Sequence, residues 1–223
     1  MRTLAILPVK SFGAAKQRLA PALGSGARQA LAQAMFADVL DSLRRAEGLD
    51  AVAVVTADPA ADAAARGASV LVLPDTAQAG QSAAASIGIA YALAEGFERA
   101  LLVPGDTPLL DPRDVTSLLA VPRAVSIVPD RHGTGTNALA LSPPDAIAPS
   151  FGPGSLTRHV EAARAAGVSS PVVQIPTLML DVDTGADLAA LVDALTSGRG
   201  QAPATREVLR GLGRLRGRRA VPA

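Results

Sequence analysis

A chain of 223 residues is long enough to bury one large core, and 49% hydrophobic against 18% charged residues excludes wholesale disorder. The absence of cysteine removes disulfides, thiolate metal sites and cysteine nucleophiles, while no Trp, one Tyr and four Phe leave little for an aromatic platform under a base. The net charge of +1 is unevenly spread: after residue 198, seven arginines against one glutamate give +6, which leaves −5 on residues 1–198, a poor match for nucleic acid.

Residues 3–9 predict a buried first strand. The run is too short for a secretory h-region, it meets Lys10 directly, and no apolar stretch approaches a membrane span, so the chain reads as soluble and cytoplasmic. The loop that follows carries Gly13 with Lys10, Lys16 and Arg18, a set able to wrap a triphosphate. It holds neither a P-loop nor GxGxxG, which counts against a dinucleotide-dependent oxidoreductase. Ala-rich stretches at 26–46, 59–66, 82–95 and 111–119 predict helices, alternating with strands at 51–57, 69–73, 100–103 and 124–128. This alternation predicts one Rossmann-like α/β domain, a mostly parallel twisted sheet with helices on both faces. Loops 8–18, 56–59, 74–82 and 104–108 then surround one crevice beyond the carboxyl ends of the strands. From residue 130 the rhythm shifts to Gly, Pro and Thr, with a strand at 138–141 and a helix at 156–166 that complete a second pocket. The domain is taken as 1–198, and 199–223 as a basic C-terminal tail or short helix.

Three regions carry candidate chemistry. Asp106 sits at the tip of a hydrophobic strand, where a carboxylate can hold magnesium against phosphate oxygens, while Asp111 before Pro112 reads as a helix N-cap. Asp181 and Asp183 form a strand-like D-x-D whose carboxylates face one side and need a cation between them. Thr184 and Asp187 read as helix-start residues, so one acid of this cluster caps. Gly133 to Thr136, and Gly152 to Ser155, offer hydroxyls and free backbone N–H groups to a small anion; the plainer reading makes Ser155 an N-cap. His132 and His159 lack metal-pair spacing and take solvated or helix-facing roles.

In order, L-P-V-K with A-K-Q-R-L, P-G-D-T-P-L-L, D-R-H-G-T-G-T-N-A-L, F-G-P-G-S-L-T-R-H and D-V-D-T-G-A-D-L resemble the family of 2-phospho-L-lactate and phosphoenolpyruvate guanylyltransferases, over residues 3–195. The resemblance implies a single-domain, GT-A-like nucleotidyltransferase fold. It also implies transfer of GMP from GTP to a small phosphorylated acid with release of diphosphate, a step of coenzyme F-420 biosynthesis. Phosphoenolpyruvate is the favoured acid, ahead of 2-phospho-L-lactate and 3-phospho-D-glycerate. By the same resemblance Thr136, Gly152 and Ser155 hold the acid, and Asp106, Asp181 and Asp183 bind Mg2+. Lys16 and Arg18 grip the triphosphate and act with Asp106 in catalysis, and Pro8, Val9, Lys10, Gly105 and Ser82 belong to the nucleotide pocket. Thr107 stands where the family usually has Leu, and Gly80-Gln81-Ser82 lacks its Leu-Asn. Expected partners are GTP and the phospho-acid, a second copy in a homodimer, and the downstream transferase of the pathway, with no nucleic acid or membrane. The alternatives are another nucleotidyltransferase of the same fold, of molybdopterin or sugar-phosphate type, and a non-enzymatic RNA-binding or regulatory module using the arginine tail.

Overall fold

The computed structural model describes residues 1–215, and the arginine-rich end beyond them lies outside the described residues. Among the described residues six strands join one sheet in the order β3-β2-β1-β4-β6-β5. Strands β1 (Thr3–Val9), β2 (Ala51–Thr56), β3 (Leu71–Pro74) and β4 (Arg99–Leu102) run parallel. Strand β6 (Thr136–Leu141) is antiparallel to both β4 and β5 (Val125–Pro129). The parallel half is what βαβ alternation dictates. The antiparallel pair follows from the short connection at 130–135, which cannot carry a crossover. The sheet is therefore mixed. The β5–β6 ladder slips at Val128 and Pro129, where proline has no N–H to give.

Strand β1 is buried along its whole length, so its residues alternate between two apolar layers. Ala5, Leu7 and Val9 meet helices α1 (Ser25–Arg45), α2 (Pro59–Gly67) and α4 (Pro112–Ala120). Leu4 and Ile6 meet α3 (Gln81–Ala94) and, farther along the sheet, α5 (Ser155–Ala165). Helix α3 presses close: a Cβ on Gly88 would lie 2.4 Å from Cγ2 of Ile6. A third cluster lies off the sheet, where Leu31 and Met35 of α1 join α6 (Gly185–Thr196) and α7 (Pro203–Gly211). The Asp38 carboxylate of α1 accepts the N–H groups of Ala204 (3.0 Å) and Thr205 (2.8 Å), satisfying first-turn donors of α7. Among the described residues no helix is long and apolar enough to cross a membrane.

Candidate active site

The loop after β1 is pinned at both ends. Phe12 is buried against Phe36 of α1, ring centroids 5.6 Å apart, and its N–H donates to Asp58 Oδ2 at 2.9 Å. Asp58 also caps α2 through Ala60 and Ala61, so the loop after β2 supports the site rather than lining it. Downstream, Leu19 is fully buried in a short 3-10 turn, Gln17–Leu19. Between these anchors Lys16 takes the left-handed conformation, φ 59°, and its ammonium donates to Asp106 Oδ2 and, at 2.8 Å, to Asp183 Oδ1. Burial opposes the charge on Lys16, yet the two carboxylates together outweigh it and hold its pKa above the ordinary lysine value.

Asp106 follows β4, and its backbone C=O accepts the Val182 N–H at 3.2 Å, which ties the two acidic loops together. Val182 is fully buried, so Asp181 and Asp183 on either side of it both turn outward to the pocket. The expected alternation is present, although residues 180–183 pair with no strand. Burial, and next the Asp106 charge, push the Asp181 carboxyl up to about 6, against the Asn137 Nδ2 hydrogen bond at 3.2 Å. Asp187 is consumed in the capping box of α6, where Thr184 is the cap: the Asp187 carboxylate accepts from Thr184 N (2.7 Å) and Thr184 Oγ1 (2.7 Å), and it pairs with Arg131 at 2.6 Å.

Among the described residues no three acids stand in metal-holding geometry, and the Lys16 ammonium pairs with both Asp106 and Asp183. The chemistry of the donor set nevertheless fits a hard divalent cation: the carboxylates of Asp106, Asp181 and Asp183 all line one cleft, and Asp106 Oδ1 is buried without a partner.

Two clefts meet at these acids. The first, about 360 Å³, is lined by Pro8, Val9, Lys10, Lys16, Gly105 and Asp106, with Asp75 and Gln81. The second, about 390 Å³, is lined by Arg18, Thr136, Gly152, Ser155 and Asp181, with Asp130 and Asn137. Gln81, Pro104, Asp106 and Asp183 face both.

The second cleft is built by interlocked loops. Asp130 Oδ1 accepts the Thr134 N–H at 2.9 Å and folds the 130–135 connection back; a Cβ on Gly135 would stand 2.7 Å from Asp130 Oδ2. Arg158 holds loop 150–154 from behind, donating to Ser150 O (2.8 Å), Ser150 Oγ (2.8 Å) and Pro153 O (2.5 Å). Fully buried His159 joins the two loops: its Nε2 accepts the Ser150 N–H at 2.8 Å, and its Nδ1 lies 2.9 Å from Thr136 Oγ1. An amide N–H can only donate, so Nε2 is bare and Nδ1 carries the proton of the neutral ring. Burial, with the Arg158 charge adding to it, lowers the His159 pKa to about 4 and keeps it neutral. Thr136 Oγ1 therefore accepts from His159, which leaves its own O–H to donate elsewhere.

A family model described as "Guanylyl transferase CofC like" matches residues 3–215. The chain belongs to that family. It is 50% identical over 213 residues to a phosphoenolpyruvate guanylyltransferase of Conexibacter woesei, covering 94% of this chain and 96% of that protein. It is 34% identical over 193 residues to a 2-phospho-L-lactate guanylyltransferase of Methanothermobacter thermautotrophicus, covering 86% and 85%. A solved nucleotidyl transferase from Methanothermobacter shares the fold, with TM-score 0.67 and 18% identity over 88% of this chain and 99% of that one. As a CofC-like protein this chain is a nucleotidyltransferase.

Against this family's expected site, the structure gathers Pro8, Val9, Lys10, Lys16 and Gly105 in the first cleft and Thr136, Gly152 and Ser155 in the second. Arg18, expected at the triphosphate, lines the second cleft and is exposed. Ser82 lines neither; its Oγ accepts the Phe151 N–H at 2.8 Å and ties α3 to the second cleft. Ser155 is not a cap, since Gly154 holds that position. The open N–H groups expected at this helix start are partly taken: Ser155 N donates to Gly152 O and Leu156 N to Thr134 O. Thr107 is fully buried and donates to Pro104 O at 3.4 Å. His159 is a buried bridge rather than a helix-facing side chain. Asp75 carries no sequence signal beyond its position just after β3, while Gln81 at the start of α3 and Asn137 inside β6 stand in quoted stretches without a role of their own.

Proposed function

We propose that this chain transfers GMP from GTP to phosphoenolpyruvate, with release of diphosphate, in coenzyme F-420 biosynthesis. The observation that carries this reading is the junction of the two clefts at Asp106, Asp183 and Lys16. A triphosphate in the first cleft and a phosphorylated acid in the second would meet phosphate to phosphate at that junction. An oxygen of the acid's phosphate attacks the α-phosphorus, the bond from the α-phosphorus to the bridging oxygen breaks, and diphosphate leaves with the electron pair. Since the substrate brings its own nucleophile, the protein has only to align and neutralise the reactants. Lys16 supplies positive charge beside the transferred group, and Arg18, reaching from the first loop to the second cleft, faces the acid. Thr136 donates its free O–H to the acid's phosphate, and Ser155 Oγ lies on the same wall. Mg2+ held by Asp106, Asp181 and Asp183 would add neutralisation of the developing phosphate charge. Phosphoenolpyruvate is preferred over 2-phospho-L-lactate because the 50% identical relative bears that activity in its name.

The test crosses GTP, ATP and CTP against phosphoenolpyruvate, 2-phospho-L-lactate and 3-phospho-D-glycerate, with magnesium, reading diphosphate and product mass. Release with GTP and phosphoenolpyruvate, and a mass equal to their guanylylated adduct, is the expected result. Silence across the grid, or turnover only with another acid, overturns the corresponding part of the reading.

A further inference from the structure

The first cleft extends well beyond its junction with the second, and its far end is chemically distinctive. Asp75 lies there, one residue past β3, with its N–H donating to Thr56 O at 3.0 Å. Its Oδ1 accepts the Gln78 N–H at 3.0 Å, while Oδ2 accepts no hydrogen bond among the described residues. The residue is 6% exposed, yet its side is part of the cleft wall. Strands β2 and β1 separate β3 from β4, so Asp75 stands about three strand spacings, roughly 14 Å, from Asp106. That is the scale of a nucleotide rather than of a phosphate. Among the described residues, Asp75 is the one carboxylate lining this cleft apart from the pair bound by Lys16, and Phe36 its one aromatic ring.

These facts constrain how a nucleotide can lie. The cations of the cleft, Lys10 and Lys16, stand on the loop after β1, whereas Asp75 pairs with no cation among the described residues, so the triphosphate lies toward the lysines and Asp75 faces the sugar and base. A carboxylate only accepts hydrogen bonds. The Watson–Crick edge of guanine offers adjacent donors, N1–H and the N2 amino group; adenine and cytosine each turn a bare ring nitrogen to the same place. Stacking cannot separate guanine from adenine, and the cleft has little aromatic surface with which to try. We propose that Asp75 selects guanine, its carboxylate accepting N1–H and N2–H of the base. The proposal rests on the reading that this cleft takes GTP.

Asp75→Asn is close to isosteric: its Oδ1 still accepts from Gln78, so the turn survives, while the other atom becomes a donor. That donor suits xanthine, which carries a carbonyl in place of the amino group. The experiment is equilibrium binding of GTP, ITP, XTP and ATP, with 3′-deoxy-GTP as a ribose control and with magnesium, to the full-length protein and to Asp75→Asn, measured by calorimetry without an acid. Native protein should bind GTP about 10-fold or more tighter than ITP, and the variant should lose about 100-fold for GTP, the scale of charge-assisted hydrogen bonds. XTP should become the variant's preferred ligand. Native preference for GTP with an unchanged order in the variant overturns the assignment and leaves the GTP reading intact. An equal loss for all four nucleotides overturns it too, as does a variant whose only change is lost discrimination against 3′-deoxy-GTP, which would put the carboxylate on the ribose. Binding of no nucleotide by the native protein removes both the GTP reading and the proposal.

Discussion

Replacing Thr136 with valine keeps the volume of the side chain and deletes one hydroxyl that works in two directions. Inward, it accepts the Nδ1–H of His159, a ring with no exposed surface. Leaving that donor unpaired should cost about 1–3 kcal/mol of stability. Outward, its O–H is the donor left for the acid's phosphate. A hydrogen bond to a charged group contributes about 1.5–3 kcal/mol, so at about 1.4 kcal/mol per decade KM for phosphoenolpyruvate should rise about 10- to 150-fold. Because the hydroxyl touches the acid and not the α-phosphorus, kcat should fall far less. The assay is steady-state diphosphate release at saturating GTP with varied acid, alongside thermal unfolding of the same preparations; Thr136→Ser should recover both properties. A valine variant that loses stability but keeps its KM would refute the outward half of the argument and reduce Thr136 to a partner of His159.

Four further outcomes are expected. Asp106→Asn should cut turnover by about three orders of magnitude without unfolding the protein, since it removes charge rather than core volume, and near-normal rates at saturating magnesium would count against it. Ser155→Ala should raise KM for the acid about tenfold with GTP affinity unchanged, as read from the same kinetics. His159 has a folded pKa of about 4 against about 6.5 when unfolded, so the unfolded chain binds the extra proton and stability present above pH 6.5 is lost as pH falls toward 4, up to about 3 kcal/mol. Urea titrations at pH 7 and pH 5 should register that loss, and His159→Gln should flatten it. Gly88→Ala should destabilise by about 1–3 kcal/mol through its clash with Ile6, and adding Ile6→Val should return part of the loss in thermal melts.

Much of the architecture was legible because it is written locally. The first strand, the alternation through α4 and the caps at Asp111 and Thr184 all follow from short-range patterns, and the structure places their ends within a residue or two of the expected positions. The insertion of β6 between β4 and β5 was not legible, since it depends on which strand edge remains open after the parallel half has formed. The D-x-D acids were readable because identical charges at close spacing require an explanation. Lys16 was readable as a cation of the first loop, but not as the residue binding Asp106 and Asp183 to each other. Asp75 is a lone acid in an ordinary turn by sequence; only the sheet order places it in the same cleft as Lys16. His159 was misjudged for a related reason, because burial of a histidine depends on two distant loops closing over it.

Lys16 between Asp106 and Asp183 gives the folded protein a counter-ion of its own. The acidic cluster is partly charge-compensated as the chain folds, so its arrangement does not wait on the supply of divalent ions. Chelation should accordingly leave the melting temperature where it is, unlike the unfolding that follows metal loss where a bound ion is the structural keystone. Any divalent ion reaching these carboxylates meets a cation already seated on Asp106 Oδ2, with Oδ1 still open to it. The ammonium, tethered at the left-handed turn, lines the same cleft and so adds its charge to whatever ion and phosphates arrive there.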